Sequence, residues 1–159
     1  MTPPAFRVEP ATTADAAQVI ELIGRVFVEY GFIFDRGMEV PDLLEFASHY
    51  LPPKGAFFVI RIGEAVVGSV GIERLEGATA EIHRLYVDRS FRGQGMGRAL
   101  VEAVLAWCRN ESLKRLVLWS DTRFERAHVL YERMGFRKTG ERALDDINTT
   151  REFGYELSL

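Results

Sequence analysis

Between Ala78 and Arg109 the chain passes from an apolar, β-branched run through Arg92, Gly93, Gln94, Gly95, Met96 and Gly97 into a helical pattern. No other stretch constrains the fold as strongly. Ala78 to Val87 reads as a strand, and Gly97 to Arg109 places Leu100, Ala103, Val104, Trp107 and Cys108 on one helical face. Glycines at alternate positions admit backbone conformations closed to other residues and leave no side chains between the amides and a ligand. A turn that runs directly into a helix also presents unpaired first-turn amides and the positive end of the helix dipole, while Arg92 and Arg98 add full charges. Phosphate is its natural guest.

The spacing excludes two common nucleotide loops. A Walker loop needs Gly-Lys before Ser or Thr, whereas Gly97 precedes Arg98 and Ala99. A dinucleotide fingerprint starting at Gly93 needs glycine at position 98, and one starting at Gly95 needs glycine or alanine at position 100; Arg98 and Leu100 stand there. Taken alone, the segment also fits a tight strand-to-helix connection without a ligand.

Strand and helix patterns alternate around it. Phe6 to Glu9 reads as a short strand, Thr12 or Thr13 caps a helix carrying Ala16, Val19, Ile20, Ile23, Val26 and Phe27, and Pro41 opens a second helix to about Tyr50. Ala56 to Ile62 and Ala65 to Leu75, joined at Gly63-Glu64, form a hairpin. Arg115 to Trp119, Phe136 to Arg142 and Glu152 to Leu157 are further strands, and Glu125 to Met134 is a helix closed by Gly135. The plan is α/β, hairpins first and a βαβα section later. Pro3-Pro4 and Pro52-Pro53 read as punctuation, and with no repeat or long linker the 159 residues are expected to form a single domain.

A net charge of −3, with both signs interspersed, lacks the broad basic footprint of a nucleic-acid binder. The one cysteine, Cys108, rules out an intrachain disulfide, sits on the buried face of its helix and fits a reducing cytoplasm. Three histidines without paired ligand spacing point to no metal, and His49 and His128 read as surface or packing residues. Neither a signal pattern nor a membrane-length apolar run stands out, so export and membrane insertion are not expected.

Taken with its flanks, the turn resembles the GNAT superfamily of N-acetyltransferases. That family's acyl-CoA signature is matched by Arg92, Gly95 and Gly97 after the strand ending Leu85, Tyr86, Val87, and its downstream element by Ala127, Leu130, Tyr131, Gly135 and Phe136. The resemblance covers Phe57 to Phe136, with the flanks matching in element order. It implies a mixed, mostly antiparallel sheet of six to seven strands, splayed at the cofactor cleft and flanked by about four helices. It implies acetyl-CoA as donor, an amine of a small molecule or peptide as acceptor, direct attack in a ternary complex, and a possible homodimer through the C-terminal strands. The backbone of Leu85, Tyr86 and Val87 would pair with the pantetheine arm, and the amides of Gly93 to Arg98 would hold the pyrophosphate. One departure stands out: the family's usual cofactor-contacting asparagine is replaced by Phe124, leaving Asp121, Thr122 or Arg123 to substitute.

Acyl transfer to an amine needs a base, a polarised carbonyl and a proton for the thiolate. Glu81 and His83, two apart and on one face of the strand before the turn, are the candidate bases, and which of them acts stays open. Tyr131 matches the family's usual acid, its phenol protonated at neutral pH. By resemblance, a backbone amide near Leu85 polarises the carbonyl. The aromatic stretch Tyr30 to Asp35 is either core or acceptor wall, and Asp145 and Asp146 are either part of that wall or a solvated turn. A non-catalytic acyl-CoA-sensing or partner-binding module is the alternative from another class.

Overall fold

The strand on which the architecture turns is β3, Ala65–Arg74, where every residue from Val66 to Glu73 is buried, so helices must cover both faces of the sheet. The structure, a computed structural model, describes residues 6–159. Pro3-Pro4 lies outside the described residues. β3 forms antiparallel ladders with β2 (Gly55–Ile62) on one side and β4 (Thr79–Val87) on the other. With β1 (Val8–Pro10), β5 (Arg115–Asp121), β6 (Arg137–Ala143) and β7 (Arg151–Ser158) they form a seven-stranded sheet in the order β1-β2-β3-β4-β5-β7-β6.

One face is covered by α1 (Ala16–Tyr30) and three single-turn helices, α2 (Arg36–Glu39), α3 (Pro41–Leu44) and α4 (Phe46–Tyr50). Val19, Leu22, Ile23, Leu43, Phe46 and Tyr50 pack there against Phe57 and Val59. The other face carries α5 (Met96–Asn110) and α6 (Glu125–Arg133), with Leu100, Val104 and Cys108 against Ile72, Ile82 and Leu116. Burial pushes the Cys108 thiol up to about 11, in keeping with a core role.

Element types follow the sequence reading, with most boundaries displaced by one or two residues. The exception is the expected helix from Pro41 to Tyr50. It breaks at Glu45, whose backbone is non-helical (φ −119, ψ 46), and a further turn precedes it at Arg36. Single helical turns are marginal by themselves, so the burial of Val40, Leu43, Phe46 and Tyr50, rather than intrahelical bonding, sets the path of this segment.

Two irregularities shape the site. All neighbouring strands are antiparallel except β4 and β5, which run parallel and pair only from Thr79↔Arg115 to Ile82↔Leu118. Beyond Ile82 the two diverge, and the sheet opens as a V. Within the same stretch β4 bulges against β3: Ser69 faces Tyr86 and Gly71 faces His83, leaving two residues opposite Val70. Arg84 absorbs the bulge at φ +56, and Ser69 Oγ donates to its carbonyl (2.7 Å).

Candidate active site

The opening between β4 and β5 leads into a cleft of about 750 Å³. Glu81 and His83 line it from β4, Tyr131 from α6, and Leu85 and Tyr86 from the β4 edge that β5 has left. The three residues with expected chemical roles therefore share one cavity.

His83 lies between two carboxylates. Its Nε2 is 3.1 Å from Glu81 Oε1, and its Nδ1 is 3.2 Å from the Tyr50 hydroxyl and 3.5 Å from Glu73 Oε1. Glu73, buried on β3 and paired in register with Glu81, also takes His49 Nδ1 at 2.8 Å. Tyr50 in turn donates to Asp42, which grips Arg84 at 2.6 and 3.1 Å. Burial, reinforced by the Asp42 charge, raises the Tyr50 pKa, so its phenol remains a donor. Sequence patterning misses Glu73 and assigns His49 to surface or packing; both line the cleft. Their link spans 24 positions, and neither helical nor strand periodicity carries it.

Tyr131 is only 4% exposed and lines the cavity, yet its hydroxyl makes no hydrogen bond among the described residues. Burial first, then the neighbouring Tyr86 and Tyr155, raise its pKa, so it keeps its proton through the neutral range.

The glycine turn lies at the other end of the opening. Gly93 and Gly95 adopt left-handed conformations (φ +81 and +84), and Gly95 caps α5. The first bond into the helix joins the Ala99 amide to the Gly95 carbonyl (3.0 Å), so the amides of Met96, Gly97 and Arg98 occupy the turn where a helix leaves donors free. A Cβ at Gly95 would meet nothing within 4 Å, and the buried Gln94 Oε1 has no partner among the described residues. Free first-turn amides in an open, glycine-lined turn fit an anionic ligand. Gly97 differs from the other two: its conformation is helical, and a Cβ there would stand 3.2 Å from Leu130, so it lets α6 approach α5.

The charges at the turn are arranged differently from the sequence expectation. Arg92 bonds the Val87 carbonyl (3.0 Å) and both oxygens of Glu29 on α1, and Arg98 pairs with Glu102 one helical turn on (3.0 Å). Arg126 of α6 instead places Nη2 3.9 Å from where a Gly93 Cβ would stand and forms no ion pair among the described residues. Its spacing to Leu130, which packs on Gly97, puts both on the face toward the turn. That i,i+4 relation is the sequence signal that could have found it.

Phe124, in place of the usual asparagine, sits in an aromatic group with Tyr30 (4.9 Å), Phe32 (6.0 Å) and Tyr86 (6.1 Å). Asp121 and Arg123 are bonded to each other at 2.9 and 2.8 Å. The stretch Tyr30 to Asp35 divides: Phe32 lines the cleft with its face against Arg123 (4.0 Å), Phe34 packs on Phe27, and Asp35 caps α2. Asp145 and Asp146 line the cleft, while Asp146 also holds the turn by accepting from Thr150. His128 is a packing residue, buried beside Ser120 (3.1 Å) and stacked on Tyr155.

Two parallel strands that stop pairing at Ile82, beside a bulged edge and a glycine-capped helix, give an α/β cleft with an unpaired strand edge and free helix amides. The Acetyltransferase (GNAT) family model matches residues 22–136, and the chain belongs to that family. It is 35% identical to N-acetyltransferase 8F1 of Rattus norvegicus over 65% of its own length, and spans about half (49%) of that protein. It is 31% identical to the uncharacterised N-acetyltransferase YjgM of Escherichia coli K12, over 79% of this chain and 78% of that one. Its fold matches the crystal structure of a GNAT-family acetyltransferase from Staphylococcus aureus Mu50 with a TM-score of 0.85, covering 97% of this chain and 99% of that one at 22% identity. Among the described residues no helix is long and apolar enough to cross a membrane, and no cluster of His, Cys, Asp and Glu could hold a metal.

Proposed function

We propose that the chain is an N-acetyltransferase that uses acetyl-CoA to acetylate an amine of a small molecule or peptide by direct attack in a ternary complex. The observation that carries this reading is the unpaired Tyr131 hydroxyl in a cleft opened by the parting of β4 from β5. The free backbone edge of Leu85, Tyr86 and Val87 takes the pantetheine arm as an added strand, and the amides of Gly93 to Arg98 take the pyrophosphate, assisted by Arg126. Acetyl-CoA supplies an activated thioester. The bulge at Arg84 aims the Leu85 amide at the carbonyl oxygen.

Glu81 or His83 removes a proton from the attacking amine, directly or through water. As the new N–C bond forms and the C–S bond breaks, Tyr131 gives its proton to the departing sulfur and recovers one from solvent or the base. The reading calls on no metal. The Glu81–His83 pair and the poised phenol favour an enzyme over an acyl-CoA sensor. The reading includes a single catalytic domain over the whole chain, and the cytoplasm, where the free thiol of Cys108 persists. A homodimer through the edge strand β6 belongs to the same reading, and sedimentation velocity over a concentration series tests it.

The test is CoA release from acetyl-CoA in the presence of an amine panel, followed by a thiol reagent. Tyr131→Phe is expected to lower kcat by about 10²-fold with little change in the KM for acetyl-CoA. An unchanged maximal rate removes Tyr131 from the acid role. Absence of CoA release with every amine and peptide overturns the enzyme assignment.

A further inference from the structure

Several carboxylates in the acceptor half of the cleft form no ion pair with a lysine or arginine among the described residues; the charges of Arg84 and Arg123 act on Glu39 and Asp146 without direct pairing. Both arginines lining the cavity are committed: Arg84 to Asp42, and Arg142 to Glu152 (2.8 Å), with the Arg142 guanidinium also over the Trp119 ring (4.2 Å). Glu39, Glu81, Asp145 and Asp146 line the same space, and none pairs with Lys or Arg among the described residues. Glu81 has only His83, and Glu39 takes only the Asn148 amide at 3.4 Å. Asn148 belongs to the turn that Asp146 closes by accepting from Thr150, so its amide contact with Glu39 brings that turn beside Glu39. Tyr131, itself 4% exposed and with no hydrogen-bond partner for its hydroxyl among the described residues, lines this cavity and marks it as a ligand site rather than a solvated acidic surface.

We propose that the acceptor is a dication. Its reacting primary amine meets Glu81 and His83, while a second ammonium or guanidinium sits between Glu39 and the Asp145–Asp146 turn. Diamines, polyamines and basic amino-acid derivatives have this chemistry. An acidic amino acid does not, because both arginines that could receive its carboxylates already hold carboxylates of the chain. The inference rests on the acetyl-transfer reading. The acetyl group leaves sulfur for the acceptor nitrogen, the amine proton passes to Glu81 or His83, and the Tyr131 proton to sulfur.

The experiment compares kcat/KM for 1,4-diaminobutane, n-butylamine of the same carbon length, and aspartate, each followed by CoA release. The diamine is expected to exceed the monoamine at least tenfold, with aspartate lowest, and added salt should erode the diamine advantage. The Glu39→Gln, Asp146→Asn variant should reduce the diamine-to-monoamine ratio about tenfold; both amides keep the shape, and the amide carbonyl introduced at position 146 can still accept from Thr150. Equal or better use of the monoamine or aspartate, a salt-independent ratio, or an unchanged ratio in the variant would overturn the dication assignment while leaving acetyl transfer in place. Failure to release CoA with any amine removes both readings together.

Discussion

Asp42→Ala tests whether a buried ion pair holds the bulge that shapes the site. Asp42 receives two bonds from Arg84 and one from the Tyr50 hydroxyl, and the side chains of the pair are only 13% and 20% exposed. Removing one partner of a buried pair leaves an uncompensated charge and costs about 3–5 kcal/mol, and partial solvent access puts this case near 3 kcal/mol. Arg84 holds a left-handed conformation, which disfavours an L-residue by roughly 1–2 kcal/mol, so the loosened bulge has reason to relax. In a chain of this length 3 kcal/mol lowers Tm by about 6–12 °C. Burial works to raise the Asp42 pKa, but the bonds and charge of Arg84, with Tyr50, outweigh it and hold the carboxyl below its usual range. A depressed folded pKa stabilises the protein above the unfolded carboxylate value of about 3.9 and loses that contribution as pH falls through the folded value. Thermal unfolding by circular dichroism should therefore show a wide gap between wild type and Asp42→Ala at pH 7 that narrows below about pH 4. If the two melt within a degree or two at pH 7, or the gap is the same in acid, the clamp does not act as argued.

Arg126→Ala should raise the KM for acetyl-CoA about tenfold and flatten its salt dependence, since the side chain is the unpaired cation beside Gly93; identical KM values across a salt series would dismiss that role. Gly97→Val adds bulk where a Cβ already meets Leu130 at 3.2 Å, so α5 and α6 must separate, at a cost of about 1–3 kcal/mol seen in urea unfolding and weaker acetyl-CoA binding by calorimetry. Burial lowers the His128 pKa, so the folded state keeps the imidazole neutral and loses stability as pH falls through the unfolded value of about 6.5. His128→Gln should flatten the change in unfolding free energy between pH 7 and pH 5, and an unaltered slope would place its origin elsewhere.

The strand, turn and helix on one side of the cleft are legible in the sequence because they are contiguous. The strand ending at Val87, the turn from Arg92 and the helix beyond it follow one another, and local φ preference and amphipathic spacing act over that range. The other side is assembled from segments as distant as Phe27 and Glu152. His49 acquires its place through Glu73, and Arg92 loses its free charge to Glu29, 63 positions away. Neither event leaves a mark on local periodicity. The same holds for the break at Glu45, where tertiary burial overrides the helical pattern.

The commitment of Arg92 to Glu29 changes how the cleft sorts charge. On the proposed reading, attraction for phosphate then rests on the first-turn amides and helix dipole of α5, supplemented by Arg126, while the acceptor half keeps acids that form no ion pair with lysine or arginine among the described residues. On that reading a polyanionic donor is repelled from the acceptor end and a cationic acceptor from the donor end, so each substrate would be excluded from the other's place without a moving part. Because amide dipoles cannot be titrated away, this polarity should persist on the donor side while Glu39, whose carboxyl burial and the charge of Asp146 hold above its usual range, gains a proton. On acidification the KM for the amine should therefore rise before the KM for acetyl-CoA does.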